Sequence, residues 1–144
     1  ESAPLFRELY MSEQVVDVLQ GGALDSRDAP LFTVLARITD SSRIDYVLEA
    51  IVSEIERLKS EPVDIEVLSE TKSHMRYGFA MGLNNPGGIA RTIGHYLQLT
   101  ENPDTVNRVY QLYDSVSSED IQNVANAYFA ESNRTVVILT QEEQ

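Results

Sequence analysis

The sequence predicts an α+β fold, in which several helices pack on one face of a mostly antiparallel sheet. Two observations support this class. Strand-like segments lie near the start and at the end of the chain, whereas the long middle part repeats its apolar residues with helical periodicity. Strands grouped apart from helices are typical of α+β domains. With 144 residues, the chain can bury a substantial core, and we expect residues 1–144 to form a single domain.

The N-terminal part predicts a short helix and then a strand. The helix covers residues 2–9, where Ser2 is in position to cap it and Pro4 lies in its first turn. The strand runs from Gln14 to Leu19, because this stretch is rich in β-branched residues, and the glycines at 21–22 are expected to end it.

A second strand is predicted from Leu31 to Ile38, after a polar turn at 25–28. Its residues alternate between apolar and polar, so we expect one face to point inward and the other outward. Two strands separated by a turn suggest an antiparallel pair. The inward residues are Phe32, Val34, Ala36 and Ile38, and the outward ones are Thr33 and Arg37.

Five helices are predicted in the middle of the chain from their start signals and apolar stripes. Ser41-Ser42 caps the first, which Pro62 stops, and the second begins near Asp64. The other three starts are Asn85-Pro86, Asn102-Pro103 and Ser117, where Asp120 can reach back to the cap and Val116 and Ile121 can form a hydrophobic staple.

The last element is predicted to be a strand from Arg134 to Thr140. Four consecutive apolar residues, 136–139, indicate a strand buried on both faces. Three strands are few for five helices, because a small sheet leaves helical apolar faces uncovered. We therefore expect the chain to be the later two-thirds of a larger domain whose missing part precedes residue 1.

The charge balance excludes several classes of partner. Eleven basic residues against 23 acidic ones give a net charge of −12, which repels phosphate backbones and anionic membrane surfaces. We expect no nucleic-acid partner and no membrane span, since no apolar run is long enough. Cysteine is absent, which removes disulfides and thiolate metal sites. Nothing in the sequence sets the compartment; a bacterial parent would place it in the periplasm or the cytoplasm.

Candidate catalytic residues are few. The histidines, His74 and His95, lie in different predicted helices and belong to no HExxH or HxxEH motif. A zinc site assembled in space from both and a carboxylate stays an alternative, but we favour ordinary surface histidines. No serine lies in a GxSxG motif. The residues thus predict no catalytic residue and no metal ligand, and they identify no substrate-binding residue.

Four other features have a structural and a functional interpretation, and we favour the structural one for each. Residues 85–88 could present N–H groups to an anion, but their sequence is typical of a loop that leads into the start of a helix. Arg76-Tyr77 and Arg91 could contact a peptide carboxylate but fit a solvated helix face. Glu119-Asp120 complements a helix dipole. The fourth feature is a set of core tyrosines with solvated hydroxyls: Tyr96, Tyr110, Tyr113 and Tyr128.

The sequence resembles the insulinase/pitrilysin family of zinc metallopeptidases along nearly its whole length. Each motif alone is weak, because it encodes helix starts and packing. The motifs that carry the resemblance are S-A-P-L-F (2–6), E-Q (13–14), R-D-A-P-L-F (27–32), K-S (72–73), Y-G-F-A (77–80), L-N-N-P (83–86), I-A (89–90), Y-D-S-V-S-S-E-D-I (113–121), V-A (124–125), Y-F (128–129) and N-R-T-V-V (133–137).

The resemblance implies a partial α+β domain of an enzyme built from several such domains, which close on a peptide. In the family, zinc is held by HxxEH and a later Glu in another domain, where it activates water. None of these residues is present here, so the resemblance implies no cofactor in this chain and zinc in the parent enzyme's other domain. The chain resembles the half that does not bind zinc.

That half often carries an Arg and a Tyr seven positions apart, in a segment like L-R-x-x-E-Q-x-x-Y. The matching stretch is 9–17, where Tyr10 stands at the Arg position and Asp17 at the Tyr position. The pair is therefore not preserved, and no catalytic residue is carried over.

Three hypotheses for function follow. The first is a non-catalytic domain of a zinc metalloendopeptidase that helps enclose short unfolded peptides; its partners are the zinc-bearing domain or subunit and the peptide substrate. The second is an inactive structural or assembly subunit, or a partner of an active peptidase subunit. The third and least favoured is a free-standing acidic peptide-binding module. We expect the chain alone to be inactive and to bind no stoichiometric zinc.

Overall fold

The computed structural model describes residues 3–23 and 26–140, and it confirms the predicted α+β class. Six helices and a two-stranded antiparallel sheet form in this part of the chain. A π-helix, Arg7–Ser12, directly continues the first helix. The elements are α1 (Pro4–Phe6), β1 (Val16–Ala23), β2 (Phe32–Ile38), α2 (Ile44–Ser60), α3 (Ile65–Gly82), α4 (Pro86–Thr100), α5 (Thr105–Ser115) and α6 (Ser118–Tyr128).

The predicted N-terminal helix is confirmed, but from Arg7 onward it is π-helical and it continues to Ser12. The Glu13 N–H donates to the carbonyl of Glu8, five residues back, at 2.9 Å, which widens the turn. Gln14 then adopts a left-handed φ of 55°, and the Val15 N–H donates to the Leu9 carbonyl at 3.0 Å. The helix therefore turns sharply into β1. Ser2, the predicted cap, lies outside the described residues.

The antiparallel pairing of the two strands is confirmed. The Thr39 N–H donates to the Val15 carbonyl at 3.0 Å, and this register places Asp17 opposite Arg37. The prediction that the glycines at 21–22 end the first strand is wrong, since β1 continues to Ala23. Both glycines keep the backbone groups that a sheet needs, and their lack of a side chain does not prevent pairing. Asp25 of the predicted turn lies outside the described residues.

Helix boundaries follow the predicted signals at several positions. The Asp64 carboxylate accepts hydrogen bonds from the N–H groups of Glu66 and Val67 and so caps α3. Asn85 caps α4, which starts at Pro86. Helix α2 ends at Ser60, before Pro62, and α6 begins directly after Ser117.

Two helix starts differ from the predicted ones. Asp40, not the Ser41-Ser42 pair, accepts the capping hydrogen bond, from the Ser42 N–H at 2.9 Å, and a 3-10 turn then precedes α2. A carboxylate is the stronger acceptor for this bond. Helix α5 starts at Thr105 rather than after Asn102, because the Asn102 side chain accepts the Asp104 N–H and holds a turn before the helix.

The prediction of a buried final strand is wrong. Residues 134–140 form no described helix or strand, and all are exposed. Val137 is 78% exposed and Leu139 is 93% exposed. A strand needs a neighbouring backbone to satisfy its N–H and C=O groups. The sheet within the described residues contains only β1 and β2, so no paired strand is described for this segment.

The chain divides into two compact units. This division does not test whether residues 1–144 form a single domain, so that statement stays a prediction. Unit 1 comprises residues 1–20, 34–63 and 118–144, and unit 2 comprises residues 21–33 and 64–117. In unit 1, α2 packs on α6. Its core cluster contains Leu9, Val15, Val16 and Val47, with Ala36 and Ile38 of β2 packed against it. Val34 and Phe32, although predicted to point inward, are exposed.

Unit 2 is built from α3, α4 and α5, and none of its described residues is buried. Its centre is the ring of Phe79 on α3, which three tyrosine rings surround at centroid distances of 5.9–6.4 Å. Aromatic pairs at this spacing attract one another beyond the area that they bury. These rings are Tyr96 on α4, and Tyr110 and Tyr113 on α5.

Candidate functional site

A groove of unit 1 lies between the N-terminal helical segment and α2. Its cavity volume is about 370 Å³, and the residues of α2 that line it recur every three or four positions, so they form one stripe of the helix. Sequence reasoning missed this groove, although the stripe is visible in the sequence. The lining residues are Pro4, Leu5, Glu8, Tyr46, Glu49, Ala50, Ser53, Glu54 and Arg57.

The groove is acidic. Three glutamates and one arginine line it, and the arginine is already paired with one of the glutamates. Arg57 donates two hydrogen bonds to the Glu54 carboxylate, at 2.8 and 2.7 Å, and the bond to Glu54 raises the pKa of Arg57. Glu8 and Glu49 are exposed at the groove. The arrangement can attract a basic side chain, but it holds no nucleophile paired with a base.

Tyr46 forms part of one wall of the groove, and its ring is fixed from two sides. Its hydroxyl donates to Oε1 of Glu13 at 2.9 Å, and the guanidinium carbon of Arg43 lies 4.4 Å from the centre of its ring. The hydrogen bond to Glu13 raises the pKa of the Tyr46 hydroxyl, because the negative carboxylate disfavours a phenolate beside it. The phenol therefore stays protonated and acts as a donor.

The two histidines lie on separate helices, as predicted, and both are exposed. His74 is on α3 and His95 is on α4, where its ring contacts Tyr96 at a centroid distance of 5.2 Å. Within residues 3–23 and 26–140, no three His, Cys, Asp or Glu side chains form a group that could hold a metal ion. The described residues therefore do not fit a zinc centre.

The arginines singled out in the sequence differ in their surroundings. Arg76 makes an ion pair with Asp114 of α5, with Nη1 2.6 Å from Oδ1, and it also donates to Ser73. Its role is thus to join two helices, which the sequence did not indicate. Tyr77, its neighbour, and Arg91 on α4 are exposed, as a solvated helix face predicts.

In the loop at 85–88, the N–H group of Gly88 is already bound by the side chain of Asn85. Oδ1 of Asn85 accepts the Gly88 N–H at 2.9 Å. This capping bond agrees with the interpretation of the loop as the start of a helix. Glu119 and Asp120 lie in the first turn of α6, where they complement the helix dipole. The expected core position of Tyr128 is wrong, because this tyrosine at the end of α6 is 69% exposed.

Tyr10 and Asp17, the residues at which the sequence resemblance would place an Arg and a Tyr, have local structural roles. The ring of Tyr10 stacks on Phe6 at a centroid distance of 4.7 Å. Asp17 on β1 accepts a hydrogen bond from Nε of Arg37 on β2 at 2.7 Å, and this bond lowers the pKa of the Asp17 carboxyl. Neither contact joins the two residues to each other.

Solved structures share this fold across almost the whole chain. A protease from Helicobacter pylori superposes with a TM-score of 0.81 and 18% identity, covering 92% of this chain and 32% of its own. The inactive peptidase domain of a putative zinc protease from Bordetella parapertussis gives a TM-score of 0.79 and 18% identity, covering 99% of this chain and 77% of that one. The α+β fold of this chain is therefore similar to the folds of these two proteins.

A third similar structure comes from Complex III2 of Candida albicans with Inz-5 bound. Its matching chain has a TM-score of 0.73 and 16% identity, with 88% of this chain covered and 30% of its own. This chain thus spans about a third of the Helicobacter and Candida chains. No family model matches the sequence, and no curated protein matches it either. None of the helices within the described residues has the length and apolarity to cross a membrane.

Proposed function

We propose that this chain is a non-catalytic domain of an insulinase-family zinc metallopeptidase, and that it helps to form the wall of a peptide-binding chamber. The observation that carries the proposal is the superposition on the inactive peptidase domain from Bordetella, which extends over 99% of this chain. The family motifs in the sequence and the lack of a zinc-binding group among the described residues agree with it.

In this proposal, the zinc-bearing domain supplies the activated water, and this chain supplies binding and shape. Holding a peptide extended beside the reactive centre lowers the entropy cost of reaching the transition state. The acidic groove offers Glu8 and Glu49 to basic side chains of the peptide. The net charge of −12 acts in the same direction, by attracting basic substrates before they bind.

Reconstitution tests this function. The chain is mixed with the polypeptide that carries HxxEH in the same or an adjacent gene, and hydrolysis of an unfolded basic peptide is followed. We expect the mixture to cleave at least about tenfold faster than the zinc-bearing polypeptide alone, because the chamber is then complete. An unchanged rate on adding this chain would contradict the proposal. Glu49→Gln should raise KM for a basic peptide but not for a neutral one.

The second candidate is an inactive structural subunit of a larger assembly. The similarity to a chain of Complex III2 favours it, and so does the absence of the Arg/Tyr pair. The same reconstitution separates the two functions. A stable complex with the partner, isolated by size exclusion, with no gain in peptide hydrolysis would support assembly over a chamber role.

A further inference from the structure

The groove of unit 1 carries two carboxylates without a positively charged neighbour. Glu8 belongs to the wall that the N-terminal helical segment forms, and Glu49 belongs to the wall that α2 forms. Both are exposed, and neither side chain has a hydrogen-bond or ion-pair partner among the residues that the structure describes. The groove therefore presents an uncompensated negative charge from each of its two walls.

The other charged groups at the groove balance one another. Arg57 donates two hydrogen bonds to the Glu54 carboxylate. Beside the wall, Arg43 lies with Nη2 3.8 Å from Oε2 of Glu13, and the hydroxyl of Tyr46 donates to Oε1 of the same carboxylate. These two arginines and the tyrosine already have acidic partners, whereas the two exposed carboxylates are free acceptors.

Apolar side chains line the rest of the groove. Pro4 and Leu5 contribute from the N-terminal side, and Ala50 contributes from α2. Methylene groups that pack on such a lining leave water, which favours binding by about 25 cal/mol for each Å² of apolar area buried. The cavity volume of about 370 Å³ lies within the range of small-molecule sites, roughly 300–1,000 Å³. The groove thus has room for a small flexible ligand.

We propose that this groove binds an aliphatic diamine or polyamine, with one ammonium group at Glu8, another at Glu49 and the methylene chain on the apolar lining. Such a ligand consists of hydrogen-bond donors and methylene groups alone, and these are complementary to free acceptors and apolar side chains. Two positive charges match the two uncompensated negative ones. A peptide would also bring carbonyl acceptors, for which the engaged arginine and tyrosine provide no free donor.

The binding goes beyond the proposed chamber role, and only its effect on hydrolysis rests on that role. Basic side chains of a peptide substrate would use the same two carboxylates. A polyamine in the groove therefore competes with them and raises KM for basic peptides. The groove would in this way make the chamber sensitive to the concentration of free polyamine.

Calorimetric titration of the chain alone at low ionic strength tests the site. The probe is cadaverine, a linear diamine, and the control is pentylamine, which has the same carbon chain and one ammonium group. We expect one cadaverine per chain and an affinity about fivefold higher than that of pentylamine, because only the diamine reaches both carboxylates. Magnesium chloride should displace cadaverine poorly, since Mg²⁺ keeps its water and has no methylene groups.

Variants of the chain locate the binding. In Glu8→Gln and in Glu49→Gln, cadaverine should bind no more tightly than pentylamine, because one carboxylate remains. Ser53→Leu, at an exposed position of the lining, fills the groove without changing its charge and should weaken cadaverine binding about fivefold. Glu70→Gln, at an exposed glutamate of α3, removes the same charge elsewhere and should leave the affinity unchanged. Far-ultraviolet circular dichroism checks that each variant keeps its helices.

Four results would overturn the proposal. They are no binding of cadaverine, equal binding of cadaverine and pentylamine, equal losses in Glu49→Gln and Glu70→Gln, and tighter binding of a capped lysyl-lysine peptide than of cadaverine. The last result would assign the groove to a peptide. None of these titrations measures hydrolysis, so such a failure leaves the chamber role standing. A chain that binds cadaverine as expected but does not speed hydrolysis would contradict the chamber role alone.

Discussion

The guanidinium of Arg76 and the carboxylate of Asp114 join α3 to the end of α5 at 2.6 Å, although 38 residues separate them in the sequence. Lys72, one turn before Arg76, donates to the backbone carbonyl of Asp114 at 2.9 Å. Two cations of α3 thus meet the C-terminal end of α5, where the helix dipole favours positive charge.

Removing this ion pair should destabilise the chain only slightly. Asp114→Asn should lower the free energy of unfolding by about 0.5 kcal/mol at low salt, because the pair is partly exposed and therefore screened by water. The loss should shrink at about 1 M NaCl, where the Debye length is short. Urea denaturation at the two salt concentrations measures it. Glu70→Gln, on the same helix, is the control; equal losses for both variants would contradict a specific pair.

The close approach of the start of α4 to the end of α3 requires a glycine at position 88. A Cβ at Gly88 would lie 2.1 Å from the Gly82 carbonyl oxygen, whereas one at Gly94 would meet nothing within 4 Å. Gly88→Ala should therefore cost about 2 kcal/mol of unfolding free energy.

Gly94→Ala is its matched control, and it should stabilise by roughly 0.5–1 kcal/mol, since alanine is the better helix former. Thermal and urea denaturation of both variants decide the question. If Gly88→Ala stabilised the chain as much as Gly94→Ala, the close contact between α3 and α4 would be wrong.

Ser118 connects the start of α6 to the chain after α2. Its hydroxyl accepts the Val63 N–H at 2.7 Å, in a partly buried position. Ser118→Ala leaves that N–H without its partner and should lower the free energy of unfolding by about 1–2 kcal/mol. Ser69→Ala, at an exposed position of α3, should change the free energy of unfolding by less than about 0.5 kcal/mol. A Ser118→Ala variant as stable as the original chain would show that water replaces this bond.

The pairing of Asp17 with Arg37 makes stability depend on pH. Because the hydrogen bond from Arg37 lowers the folded-state pKa of Asp17 below 3.8, its contribution is present above that value. It is lost as the pH falls through the lowered pKa. Asp17→Asn should thus be less stable than the original chain at about pH 6, and the difference in stability should shrink as the pH falls below 3.8.

A double-mutant cycle checks the cause of this pH dependence. In an Arg37→Gln background, Asp17→Asn should have little further effect at any pH, because the favourable partner is already gone. Unfolding by urea across the acidic range supplies all four free energies. A difference between Asp17→Asn and the original chain that grows as the pH falls would contradict the pairing.

Local signals in the sequence predicted much of the fold. A cap depends on one side chain and the next few N–H groups, so Asn85 and the start near Asp64 were visible in the sequence. Asp40 was missed because the two serines that follow it are also good caps, and the preference among the three depends on backbone angles.

Features that depend on distant parts of the chain could not be predicted. The Arg76–Asp114 pair and the groove beside α2 exist only because helices pack in a particular way. The segment at 134–140 was predicted as a buried strand from composition alone, and apolar residues indicate strand propensity but not the presence of a neighbour. No sequence pattern identified a substrate-binding residue.

Peptide hydrolysis by the purified chain alone tests the central claim most directly. An unfolded fluorogenic peptide is incubated with the chain and added zinc, with and without a chelator. A non-catalytic domain predicts the same background rate in both samples, since the described residues do not fit a zinc centre. Cleavage that copurifies with the chain and stops when the chelator is added would contradict it.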